Sequence, residues 1–225
     1  MTAYEKSPLE SEGALGEQYD LPGLDEDSNT RDRALLQATV LFAQKGFAAA
    51  SLKEIAAEIG IKAASLYNHF SSKEDLLNSA IDNAEELYRV YFIRLDEAIG
   101  ENANFEHTVE CMFVELLSVV HIFTYYCFSF VLTEQFRSEK AASIVNDLFL
   151  KYSIAFIRER FDRCVNNGTA RPFDTETAAT ILMHTVLVGM QMRVQQDLNR
   201  EMPYDPTEMF RSVQRFILEQ GCPEE

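Results

Sequence analysis

Between Ser51 and Lys73 the chain sets out side chains suited to gripping a polyanion and reading its pattern. Lys62, Ala63, Ser65, Asn68 and His69 would share the face of a short helix opposite Leu66 and Phe70. That set is small and polar enough to enter a DNA major groove, where hydrogen bonds to base edges carry sequence information. Ser51 opens a helix, and free amides with the helix dipole favour a phosphate there. Lys73 stands at the start of another helix and adds a full positive charge. Taken singly, Tyr67 is equally a core aromatic and His69 equally a local hydrogen-bonding residue.

These residues need helices to hold them, and the sequence specifies helices throughout. From Thr30 the apolar residues Leu35, Leu36, Ala38 and Phe42 recur at helical spacing, ending at Lys45-Gly46, a cation followed by a capping glycine. Ser51-Leu52-Lys53-Glu54 has the capping-box form. The second helix ends at Gly60, which permits a sharp turn before a short helix across Ala63 to His69. Leu66 and Phe70 are spaced to pin that helix on Leu41, Phe42 and Ile55. Ser71 to Asp75 then cap a long helix reaching about Ile99. Two helices joined by a tight glycine turn form a helix-turn-helix. Further helices are expected at Phe105 to about Thr124, Tyr125 to about Phe136, Ser138 to about Val165, Asp174 to about Leu198, and from about Pro206. No alternating strand pattern competes, so the fold class is all-α.

The stretch Arg33 to Leu77 resembles the tetracycline-repressor (TetR) family of transcriptional regulators. The residues that carry the likeness run in order as Leu35-Leu36, Ala38, Leu41-Phe42, Gly46-Phe47, Ser51, Ile55-Ala56, Gly60-Ile61, Leu66-Tyr67, His69-Phe70, Lys73 and Leu76-Leu77. Residues 1–29, acidic and without an apolar period, are expected to form a disordered tail, and the resemblance implies a DNA-binding domain over 30–77 with its motif at about 51–70, and a ligand-binding and dimerisation domain over 78–225. It implies that Ser51, Lys53, Tyr67, His69 and Lys73 clamp the DNA backbone and that Lys62, Ala63, Ser65 and Asn68 read bases. Two positions depart from the family pattern: Ala50 stands where Thr is frequent, and Lys62 where a capping Ser is usual. A lysine beside a helix N-terminus costs roughly 0.3–1 kcal/mol, so its retention points to DNA.

The formal net charge of −16 argues against a nucleic-acid coat or membrane-surface protein, but it is unevenly spread. Residues 1–29 carry −7 and residues 78–225 carry −10, whereas residues 30–77 carry +1. The acidic tail is therefore expected either to solubilise or to compete with DNA for the basic face. The four cysteines form no paired motif, so neither a disulfide framework nor a zinc site is expected. His107 and Cys111, four apart, lack a third ligand. No signal pattern opens the chain, and the apolar run Leu116 to Leu132 reads as a buried helix pair. The expected location is the cytoplasm. No cofactor is expected, and no nucleophile, phosphate loop or carboxylate dyad suggests an enzyme.

Residues 105–136 hold six Phe, two Tyr, two His and two Cys. Phe113, Phe123, Tyr125, Tyr126, Phe128 and Phe130 either line an elongated apolar cavity or fill an ordinary helical core. Met183, His184 and Met190 would join them from a later helix. The family resemblance implies the cavity, with an unidentified small apolar or aromatic ligand. The last two helices are apolar on more than one face, and Gly189 would admit a close neighbour. The resemblance implies a homodimer seam there, and DNA release when ligand tilts the long fourth helix. A helical ligand-binding or scaffold protein whose helix-turn-helix serves protein contacts is the competing reading.

Overall fold

The computed structural model describes residues 29–118, 122–197 and 206–222, and among these every regular element is helical. Of the tail expected over 1–29, residues 1–28 lie outside the described residues, as does His121, while Asn29 belongs to the start of the first helix. The first three helices are α1 (Thr30–Lys45), α2 (Leu52–Glu58) and α3 (Ala63–Leu66). Asn29 caps α1 by accepting the Asp32 N–H at 3.1 Å. Gly46 ends it at φ 79°, a left-handed conformation that glycine adopts without the strain a Cβ brings. Gly60 turns α2 toward α3 at φ 74°. Arg33 of α1 donates to the Ile59 carbonyl at 3.1 Å, tying the end of α2 to the first helix.

The long α4 (Lys73–Ile99) has 27 residues, about 40 Å at 1.5 Å per residue. Its buried stripe runs Leu76, Leu77, Ala80, Ile81, Ala84, Tyr88, Tyr91, Phe92, Leu95 and Ile99. One helix thus starts beside the first three and ends with Ile99 buried in the remainder of the chain. α5 (Phe105–Ser118) and α6 (Ile122–Glu134) follow; residues 119–121 lie outside the described residues. α6 packs on both α1 and α4, which joins the two domains into one core.

The expected Ser138–Val165 helix is continuous but not uniform. It comprises α7 (Glu139–Ser143), a π-helical stretch (Ile144–Tyr152) and α8 (Ser153–Asn166), with helical backbone through both junctions. Ser153 explains part of the wider register: its hydroxyl donates to the Leu148 carbonyl five residues back at 3.0 Å and meets the Tyr88 hydroxyl at 2.7 Å. The same stretch stacks Phe149 on Tyr88, with ring centroids 4.4 Å apart. Burial pushes the Tyr88 phenol well above its ordinary pKa, because a phenolate there would lose its water. Tyr88 is consequently a neutral packing residue.

α9 (Thr175–Asp197) and α10 (Pro206–Gly221) complete the chain. A Cβ built on Gly189 of α9 would lie 2.4 Å from the Phe210 ring of α10. The close approach expected at Gly189 is therefore made within the chain. Gly221 is the final residue of α10, and a Cβ built there would likewise lie 2.4 Å from the Phe105 ring. No described helix is long and apolar enough to cross a membrane.

Candidate nucleic-acid interface

The sequence builds this surface on a small apolar base. Leu41, Phe42, Ile55, Leu66 and Phe70 are all buried, so α3 is pinned by the residues its spacing predicted. Ser51 caps α2 in a complete capping box, with Glu54 N–H donating to Ser51 Oγ at 3.2 Å and Ser51 N–H donating to Glu54 Oε2 at 3.0 Å. Lys45 closes the same corner by binding Glu54 at 2.7 Å. The ammonium and the serine hold the Glu54 carboxyl down at about 2, so the corner stays ionised throughout the neutral range.

The third helix is shorter than its pattern suggested. After Leu66 the turn tightens, with Asn68 N–H donating to Ser65 O at 3.2 Å and His69 N–H to Leu66 O at 2.9 Å. Three-residue bonds of this kind are frequent at helix ends. Tyr67 is 59% exposed, which removes it from the core. Lys53, Lys62, Asn68 and His69 are exposed, and Ala63 and Ser65 half-buried. Lys62 occupies the N-cap of α3 and its side chain makes no capping bond. The structure adds Ala64, exposed on the same surface, which the search for polar residues passed over. Its position three before Tyr67 and four before Asn68 was the available signal. Ala50, the missing hydroxyl, is buried.

Lys73, expected to clamp DNA, already has partners within the chain. Its ammonium donates to the Phe47 carbonyl at 2.5 Å and lies 4.3 Å above the Phe47 ring. Here it holds the α1–α2 turn, a contact across 26 residues that spacing does not reveal. Arg31 likewise covers the Phe70 ring at 5.2 Å. Asp75 is kept below the usual carboxylate range by the Ser71 backbone N–H, which donates to it at 2.8 Å.

In the second domain the expected cavity residues separate. Phe113, Phe128, Phe130 and Met183 are fully buried, Met190 is buried and Tyr126 half-buried. Phe128 joins the ring cluster of Tyr88 and Phe149, whereas Phe130 reaches the DNA-binding unit, 6.3 Å from Phe42. The side chains of Phe123 and Tyr125 lie outside the described residues. His184 is exposed beside Val188, its ring 2.8 Å from the Thr180 carbonyl. It faces away from the core in the single chain because the buried stripe of α9 is Leu182, Met183 and Val186. A polar cleft of about 420 Å³ opens between α4 and the π-helical stretch, walled by Glu85, Arg89, Lys140, Ser143, Asp147 and Tyr152. None of these was singled out by sequence. His107 and Cys111 pair with each other at 3.4 Å, and no group of three or more metal-type ligands occurs among the described residues.

Comparison with known proteins supplies an independent reading. Residues 34–80 match the family described as bacterial regulatory proteins, tetR family. The chain is 28% identical to the HTH-type transcriptional regulator UidR of Escherichia coli (strain K12) over 176 residues, 76% of this chain and 85% of the relative. A 52-residue stretch is 48% identical to the uncharacterized HTH-type transcriptional regulator YerO of Bacillus subtilis (strain 168), covering 23% of this chain and 18% of that protein. In three dimensions the fold is similar to the ketosteroid transcriptional regulator KstR2 of Mycobacterium tuberculosis, with TM-score 0.64 and 18% identity over 90% of this chain and 98% of that one.

Proposed function

We propose that this chain, which belongs to the TetR family of transcriptional regulators, is a cytoplasmic repressor that grips a near-palindromic operator as a homodimer and releases it when a small apolar or aromatic ligand binds its second domain. The observation that carries this reading is the exposed set Lys62, Ala64, Tyr67, Asn68 and His69, held on a rigid apolar base with Lys53 beside it. Nothing in packing requires a tyrosine to stand this exposed. Lys62, Ala63, Ala64, Ser65 and Asn68 meet base edges, while Ser51, Lys53, Tyr67 and His69 meet phosphates, which fix register but not sequence. Lys73 contributes from behind the turn it holds.

The dimer forms through α9 and α10, where Val188 and Phe216 remain 42% and 41% exposed on the single chain. A two-fold axis there spaces the recognition helices about 34 Å apart, one turn of DNA. Ligand enters among Tyr126, Phe128, Met183 and Met190, and biases α4, whose first turn belongs to the DNA-binding unit. Such coupling is typically 1–3 kcal/mol.

The test is selection of sites from a random DNA pool by the purified protein, repeated with Tyr67→Ala and Lys62→Ala combined. An enriched palindrome that the variant fails to enrich supports the reading. No enrichment by the wild type at moderate salt, with the dimer intact, favours a ligand-binding or scaffold protein instead.

A further inference from the structure

We propose that Glu134, the last residue of α6, is a positioning residue that couples the ligand domain directly to the DNA-binding unit; the inference rests on the DNA-binding reading above. Glu134 is only 2% exposed, yet it belongs to the second domain and its Oε1 accepts the backbone N–H of Phe47 in the first, at 3.0 Å. The carbonyl of the same residue accepts from Lys73. Phe47 is thus held at its N–H by α6 and at its carbonyl by the start of α4.

The hold extends to the ring. Phe47 packs edge-on against Phe42, 5.5 Å away, and Phe42 meets Phe130, one turn before Glu134 on the same face of α6. This turn leads into Ser51, the N-cap of α2, and Lys45 on its near side binds Glu54 on its far side. Moving Phe47 therefore moves the helix end proposed to meet a phosphate. A buried carboxylate is costly to keep without compensation, and a backbone amide 87 residues away is the compensation found here. Because α6 also carries Tyr126 and Phe128, a ligand that displaces α6 shifts the DNA face through Glu134 as well as through α4.

Full-length dimers of Glu134→Leu and Glu134→Gln are compared with the wild type. The readouts are hydrogen exchange of the Phe47 amide, and affinity for the selected operator corrected for the fraction of dimer able to bind. The expected result is exchange faster and affinity weaker by about ten-fold in the leucine variant, the scale of one charge-assisted hydrogen bond, with both largely restored by glutamine, which keeps the acceptor oxygen. A purely structural role would lower the melting temperature and the active fraction but leave the corrected affinity alone; that result, or unchanged Phe47 exchange, overturns the proposal. If the leucine variant does not fold, Glu134→Asp withdraws the carboxyl by one methylene, and faster Phe47 exchange supports the clamp while unchanged exchange refutes it. A wild type that selects no DNA defeats the DNA-binding reading separately, and the proposal with it as far as the operator is concerned; equal Phe47 exchange in all variants defeats the clamp whatever the DNA result.

Discussion

Replacing Gly189 by alanine tests how α10 is seated. The new Cβ would lie 2.4 Å from Phe210 Cζ and 2.7 Å from its Cε2. Ordinary contact begins near 3.4 Å, so the ring or the whole helix must retreat by about 1 Å, and overpacking of this kind costs about 1–3 kcal/mol. Phe210 is buried, which leaves the ring little room to swing. Alanine recovers about 0.5–1 kcal/mol of helix propensity. The net expectation is destabilisation by about 1–2 kcal/mol. For a chain of this length that lowers the melting temperature by roughly 2–4 °C for each kcal/mol. Thermal unfolding at fixed protein concentration measures it, since a dimer's stability depends on concentration. Phe210→Leu removes the clashing ring atoms, so the double variant should be less destabilised than the two single changes added together. A Gly189→Ala protein as stable as wild type, with additive effects in the double variant, would refute the argument that α10 rests on bare backbone at Gly189.

Three further outcomes follow from the same structure. Lys62→Ser should strengthen the α3 cap by about 0.3–1 kcal/mol while weakening operator binding and lowering its salt slope, because one cation leaves the interface; unchanged affinity and slope in a binding titration would show that Lys62 is not kept for DNA. Because Glu54 is depressed from 4.5 to about 2 in the folded chain, its stabilising contribution is complete above pH 4.5 and is lost as pH falls through about 2. The stability gap between wild type and Glu54→Gln, read by denaturant unfolding, should therefore close on acidification rather than widen. Deleting residues 1–29, which carry a net −7, should raise operator affinity at low salt and change nothing at high salt, and identical affinity at low salt would remove the competition idea.

Much of this architecture was legible because it depends on neighbours in sequence. The Ser51–Glu54 capping box, the helix end at Gly46, the turn at Gly60 and the Leu66–Phe70 spacing are interactions across a few residues, and each appears where the pattern placed it. The exposed reading face followed from the same periodicity, once Leu66 and Phe70 were assigned to the core. The third helix ended sooner than its pattern suggested, at Leu66, because a tighter turn follows it. The π-helical stretch ends at a Ser153 that pairs with Tyr88, 65 residues earlier, a contact no local window shows. Lys73 read as a phosphate contact because its partner, the Phe47 carbonyl, has no side-chain identity to recognise. Glu134 gave no signal at all, since a glutamate at a helix end is ordinary until its burial against the other domain is known. His184 stands on the exposed side of α9 because the chain's own core chose Met183 and Leu182 instead. Local chemistry thus determined the helices, their caps and the exposed residues of the α3 turn. Tertiary packing alone decided which polar groups are spent in joining the two domains, because burial and distant backbone partners are properties of the folded chain and not of any window along it.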